Sequence, residues 1–139
     1  MHFNYFAIAL AAIAQFFFGA VWYTPLFGSL WGKIHGFDTR SKAEQEKMQS
    51  TVGPLLAMQF LMTIVTTMVL ALFITVLPPD WNAFGLAGFF WIGFVVPTQV
   101  SAVLFGGTEP KWFVIKSLIM AGASLGCLMI GAAILSAWR

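Results

Sequence analysis

The strongest constraint on this chain is where its charges are missing. Residues 3–24, 54–77 and 83–105 contain no Asp, Glu, Lys or Arg, and residues 112–138 contain only Lys116. A helix needs about 20 predominantly apolar residues to cross the hydrocarbon of a bilayer. Four such stretches predict an all-α integral membrane bundle of four transmembrane helices, forming a single domain over residues 1–139. Composition agrees: 60% of the residues are hydrophobic and 9% charged, whereas a soluble domain is about half apolar and a quarter charged. The net charge of +2 is too small to suggest nucleic acid.

The punctuation between the spans is consistent with this reading. Pro54 suits the first turn of a helix, where its missing N–H is no loss. Leu77-Pro78-Pro79-Asp80 ends the second span, and Gly106-Gly107 with Pro110 ends the third. Connections this short make the flanking helices antiparallel neighbours. The first span resembles a signal peptide in its Ala12-Ile13-Ala14 pattern. It lacks a preceding Lys or Arg and continues well past Ala14, so it reads as a retained helix.

Basic residues set the expected orientation. The first loop carries Lys33, Arg40, Lys42 and Lys47, and the third carries Lys111 with Lys116 just inside the helix. The other ends carry only Arg139. Positive residues stay on the cytoplasmic side. Residues 25–53 and the third loop are therefore expected in the cytoplasm, with both termini periplasmic.

The first span ends in the crowded stretch FGAVWYTPLFGSLWG, residues 18–32. Trp22 and Tyr23 fall where amphipathic rings favour the headgroup level. Pro25 is expected to break the helix there. Leu26, Phe27, Leu30, Trp31 and Ile34 then recur at helical spacing, as in a short amphipathic helix lying in the interface. Trp22, Tyr23, Pro25, Phe27 and Trp31 thus read as an interfacial anchor, with Gly28, Gly32 and Gly36 allowing close approach or positive φ. Further on, Ser41-Lys42-Ala43-Glu44 matches a capping box and predicts a short polar helix over residues 42–50.

Inside the spans, small residues and a few polar ones stand out. Gly122 and Gly126 form a Gly-x-x-x-Gly pair, and Ala123, Cys127 and Gly131 a parallel row, which suits close helix packing within the bundle or in a dimer. Pro97 removes the hydrogen bond to the carbonyl of Gly93 and predicts a kink there. Measured from the loop ends at 1.5 Å per residue, Gln59 and Lys116 lie about 7–8 Å deep, Gln99 about 9 Å and Gln15 about 12 Å. Thr63 shares the face of Gln59. These five residues form the candidate polar intramembrane site, read either as inter-helix hydrogen bonding or as a ligand or headgroup site centred on Lys116.

Reactive constellations are lacking. His2 and His35 fall on opposite sides of the bilayer by the topology above. The pair His35 and Asp38 is too small a set for a metal. Cys127 reads as a packing residue. All five carboxylates, Asp38, Glu44, Glu46, Asp80 and Glu109, fall in loops, which leaves a proton-coupled exporter without a carrier.

The chain resembles a known family. The residues that carry the likeness are Gly19, Trp22-Tyr23, Pro25, Phe27-Gly28 and Trp31, then the run from Gly85 to Phe94 and the closing Gly-Ala-Ala-Ile-Leu-x-Ala-Trp from Gly131 to Trp138. They are similar to the bacterial four-helix membrane proteins of domain-of-unknown-function family 1761. The resemblance implies a bacterial inner-membrane protein and supplies no chemistry. The expected role is a non-enzymatic scaffold, assembly partner or amphiphile- and lipid-binding protein. It would need no cofactor, and its partners would be membrane lipids, with a homodimer or a membrane-protein partner left open. The alternative is a small homodimeric permease or exporter.

Overall fold

A computed structural model describes residues 2–138, so Arg139, counted in the charge argument, lies outside the described residues. Its helices run in the order α1 (Tyr5–Val21), α2 (Gly28–Ile34), α3 (Lys42–Ser50), α4 (Val52–Val76), α5 (Ala83–Phe90), α6 (Val96–Phe105) and α7 (Phe113–Ala137). Four continuous segments, Tyr5–Leu26, Val52–Val76, Ala83–Phe105 and Pro110–Ala137, are long and apolar enough to cross a bilayer. With no strand among the described residues, the fold is an all-α membrane bundle.

Local chemistry explains where the helices begin. The side chain of Asn4 accepts from the Ala7 amide at 3.1 Å, that of Ser41 from Glu44 at 3.2 Å, and that of Asn82 from Gly85 at 2.6 Å. Each side chain satisfies an N–H that has no partner within its helix. Pro54 occupies the first turn of α4, and the chain leaves that helix at Leu77, ahead of the two prolines. At Gly36 the backbone turns with φ of 70°, a value that glycine adopts without a Cβ penalty.

α7 is the central strut, in contact with α1, α4, α5 and α6. The buried surface between helices is rich in alanine: Ala7 and Ala11 of α1, Ala71 of α4, Ala83 and Ala87 of α5 and Ala132 of α7 belong to one cluster, and Ala12 is also buried. Small side chains let backbones approach closely, which is how helices gain contact energy when the surrounding solvent is as apolar as they are. The bulky side chains face outward instead, among them Phe6, Phe17, Leu55, Phe89 and Phe94. Such a surface suits hydrocarbon as its solvent.

The small residues of α7 are consumed inside the bundle. A Cβ on Gly122 would come within 2.7 Å of the Trp22 ring, and one on Gly126 would collide with the ring of Phe18. One on Gly131 would approach the Gln15 side chain at 3.1 Å. Cys127, in the same row, donates to the Gln15 carbonyl at 3.6 Å. All four positions turn toward the first span, Tyr5–Leu26.

At both prolines the sequence predicts an interruption, and the structure shows the form each takes. α1 ends at Val21, ahead of Pro25. The chain continues through a wide π-helical turn, Trp22–Leu26, with the Phe27 amide donating to the Trp22 carbonyl at 3.0 Å before α2 begins. A second π turn, Trp91–Val95, precedes Pro97, with the Val96 amide donating to the Trp91 carbonyl. Widened turns of this kind are an established source of helix bends. A Cβ on Gly93 would meet nothing within 4 Å, the Pro97 ring included.

Candidate functional site

Of the five polar residues singled out inside the spans, Gln15, Thr63 and Gln59 are linked through Thr67, whereas Gln99 and Lys116 lie elsewhere. Gln15 is 3% exposed and lies in the core. Its Nε2 donates to the Ala11 carbonyl at 3.1 Å and to Thr67 Oγ1 at 2.8 Å, and Thr67 in turn donates to the Thr63 carbonyl at 2.7 Å. This is a satisfied tie between α1 and α4. Thr63 spends its own hydroxyl on the Gln59 carbonyl at 2.9 Å, and the Gln59 side chain faces outward from α4.

Gln99 is also distant from Lys116. Its Oε1 accepts from Ser124 Oγ at 3.2 Å. Ser124 lies about 12 Å farther along α7 than Lys116 at the usual helical rise. The common depth inferred from sequence took Phe105 and Lys111 as level, whereas the Gly106–Glu109 link staggers the two helix ends. Neither Gln59 nor Gln99 lines the cleft at Lys116.

Lys116 instead faces a cleft that the sequence reading did not assemble. This cleft, of about 570 Å³, lies between the segment after α2 and the third loop. One wall holds Lys33, His35 and Asp38; the other holds Thr108, Glu109 and Lys111, with Lys116 on the first turn of α7. Lys116 Nζ donates to Thr108 Oγ1 at 3.2 Å and sits 5.6 Å from the centre of the Trp31 ring. That separation is within the range of a cation–π attraction, about 0.5–2 kcal/mol depending on desolvation. The only ion pair among the described residues is Lys111 with Glu109 at 3.2 Å, and both are exposed. Lys116 thus has a hydroxyl and an aromatic face beside it, and no carboxylate.

The crowded stretch after α1 builds this wall. Trp22 lies between Phe18 and Phe27, at 5.6 and 4.8 Å between ring centres. Its indole N–H donates to the Ile119 carbonyl of α7 at 3.0 Å. Tyr23 packs edge-on against Trp31 at 4.9 Å, and Trp31 packs on His35 at 4.5 Å. His35 Nδ1 donates back to the Trp31 carbonyl at 2.8 Å. The aromatics therefore clamp α2 against the start of α7 and place the Trp31 face beside Lys116. Chemically, the cleft brings three lysine ammonium groups, the Thr108 hydroxyl, the His35 imidazole and the carboxylates of Asp38 and Glu109 to one space. Among the described residues no group of three His, Cys, Asp or Glu side chains could hold a metal.

The sequence reading used Trp31 as an anchor, Lys33 and Lys111 as topology charges and Lys116 as the centre of a different polar set, and gave Thr108 no role. Their only shared signal was the concentration of Lys residues in two loops on one side of the bundle.

The family model for proteins of unknown function (DUF1761) matches residues 6–136. No curated protein and no solved structure matches the chain. A match over nearly the whole chain, together with its four spans, makes this multi-pass membrane protein a member of the DUF1761 family.

Proposed function

We propose that this protein holds anionic amphiphiles of the bacterial inner membrane at the lysine-lined cleft, without catalysing a reaction on them. In this reading the cleft opens toward the cytoplasm, as the bias of Lys and Arg toward the first and third loops suggests.

The observation that carries the reading is the setting of Lys116. A lysine within an apolar span is costly unless it serves a purpose. Here it reaches a polar cleft, receives no carboxylate, and is held between Thr108 and Trp31. An ammonium with no carboxylate within 4 Å, in a cleft where lysines outnumber carboxylates three to two, is suited to an anion that the protein does not itself contain. The glycines of α7, which the sequence also left open to a dimer, face Phe18, Trp22 and Gln15 of the same chain. That weakens the case for the homodimeric permease.

The test is lipid retention. Wild type, Lys116→Met and Lys42→Met would be extracted in mild detergent, and bound lipid counted by native mass spectrometry. Lys42 lies on exposed α3, outside the cleft. A charge-assisted hydrogen bond contributes about 1.5–3 kcal/mol, so Lys116→Met should reduce anionic lipid occupancy at least tenfold, while Lys42→Met keeps it. Equal retention in all three folded proteins would overturn the proposal.

A further inference from the structure

We infer that the group taken by this cleft is the phosphodiester of a membrane lipid whose headgroup carries no cation of its own, with its acyl chains lying against α7. The inference rests on the anionic-amphiphile reading above and narrows it to one chemistry.

The arrangement of donors comes first. Thr108 accepts from Lys116, so its own hydroxyl hydrogen must point elsewhere, and the ammonium keeps two hydrogens to give. Lys33 reaches the same space from α2 and Lys111 from the turn before α7. Donors therefore converge from three separate elements. A tetrahedral phosphate spreads its oxygens in three dimensions and can meet donors from all of them. A carboxylate confines two oxygens to one plane and is best met by the planar fork of arginine, and no arginine lines the cleft.

Charge balance agrees. Three lysines and two carboxylates, Asp38 and Glu109, line the cleft. The surplus of one positive charge matches the single negative charge of a phosphodiester. A zwitterionic lipid, with no net charge, would leave that surplus unmatched.

A path for the acyl chains begins at the edge of the cleft. Val114 and Leu118 follow Lys111 on one side of α7 and are 69% and 66% exposed. Phe105, adjoining cleft-lining Gly106, is 89% exposed. A phosphate seated at Lys116 and Thr108 would thus have open apolar surface beside it on which to lay its chains.

The experiment uses the full-length protein in detergent micelles and four probes: dioctanoyl phosphatidylglycerol, dioctanoyl phosphatidylcholine, laurate and inorganic phosphate. Binding is read by native mass spectrometry for wild type, Lys116→Met, Lys33→Met and Thr108→Val, each checked for an unchanged thermal unfolding midpoint. Phosphatidylglycerol should bind about tenfold or more tighter than phosphatidylcholine, the difference expected from one charge-assisted contact. Lys33→Met and Thr108→Val should each weaken it several-fold, and phosphate should fail to displace it. Laurate binding as tightly as phosphatidylglycerol, with the same loss in Lys116→Met, would overturn the phosphodiester while leaving the anionic-amphiphile reading standing. Displacement by phosphate alone would point to a soluble anion and overturn the lipid source. Equal binding of the two phospholipids would overturn the charge argument. Failure of every probe would overturn both proposals.

Discussion

Trp22 and Trp91 hold the central helix from two sides: their indole N–H groups donate to the Ile119 and Ala121 carbonyls of α7, at 3.0 and 2.9 Å. Each tryptophan also opens a π turn of its own span. The wide turns and the indole contacts therefore occur together, at the points where the first and third spans bend along α7. An indole N–H has no partner in hydrocarbon, so these carbonyls are strong attractors for it.

Removing either donor should loosen α7. Trp22→Phe and Trp91→Phe keep an aromatic ring and delete the N–H, and interhelical hydrogen bonds in membranes contribute about 0.6–2 kcal/mol each. Unfolding in detergent should show losses of at least that size, with faster amide exchange around residues 119–125. Unchanged stability and exchange in both variants would show that the indole bonds contribute nothing.

The contact of Gly126 with Phe18 gives a sharper packing test. Gly126→Leu places a branched side chain where the Phe18 ring already sits, and overpacking of this kind costs about 1–3 kcal/mol or more. Leu118→Ala, on the lipid-facing side of the same helix, should cost less than about 1 kcal/mol, since it opens no internal cavity. Phe18→Ala should restore part of the stability lost in Gly126→Leu. Rescue would identify the pair as partners; equal tolerance of Gly126→Leu and Leu118→Ala would remove the tight-packing account.

These contacts show what the sequence could and could not reveal. The spans were legible because lipid demands long uncharged runs, and the α3 start because Ser41 and Glu44 carry a local signature. The row Gly122, Gly126 and Gly131 was legible as a packing face, but its partner was not, since many apolar surfaces could have filled it. The core tie of Gln15 was half seen: Thr67 lies in a helix apolar on every side, where periodicity distinguishes no inner face. The indole bonds of Trp22 and Trp91 escaped because their acceptors are carbonyls of a helix far away in sequence. Lys116 was found by its cost in hydrocarbon, yet its neighbours were misassigned, because equal loop levels had been assumed where Gly106–Glu109 staggers them.

Orientation can be tested separately. Reporter fusions after Thr39 and after Ala137 are three crossings apart and should report opposite sides, with Thr39 in the cytoplasm as the Lys and Arg bias requires. The same side at both points would contradict four crossings. Opposite sides with Thr39 in the periplasm would refute only the charge argument, and would turn the cleft toward the other leaflet.

The central claim is that a lipid anion rests against Lys116, and solid-state NMR measures that contact directly. The protein, labelled with nitrogen-15 at its lysines, would be placed in bilayers of phosphatidylglycerol and the Nζ signals dephased by lipid phosphorus-31. A charge-assisted N–H to phosphate contact puts nitrogen and phosphorus within about 4 Å. The Lys116 signal, assigned by its disappearance in Lys116→Met, should dephase strongly, while exposed Lys42 should dephase far less. A Lys116 signal untouched by phosphorus in a folded protein would contradict the account.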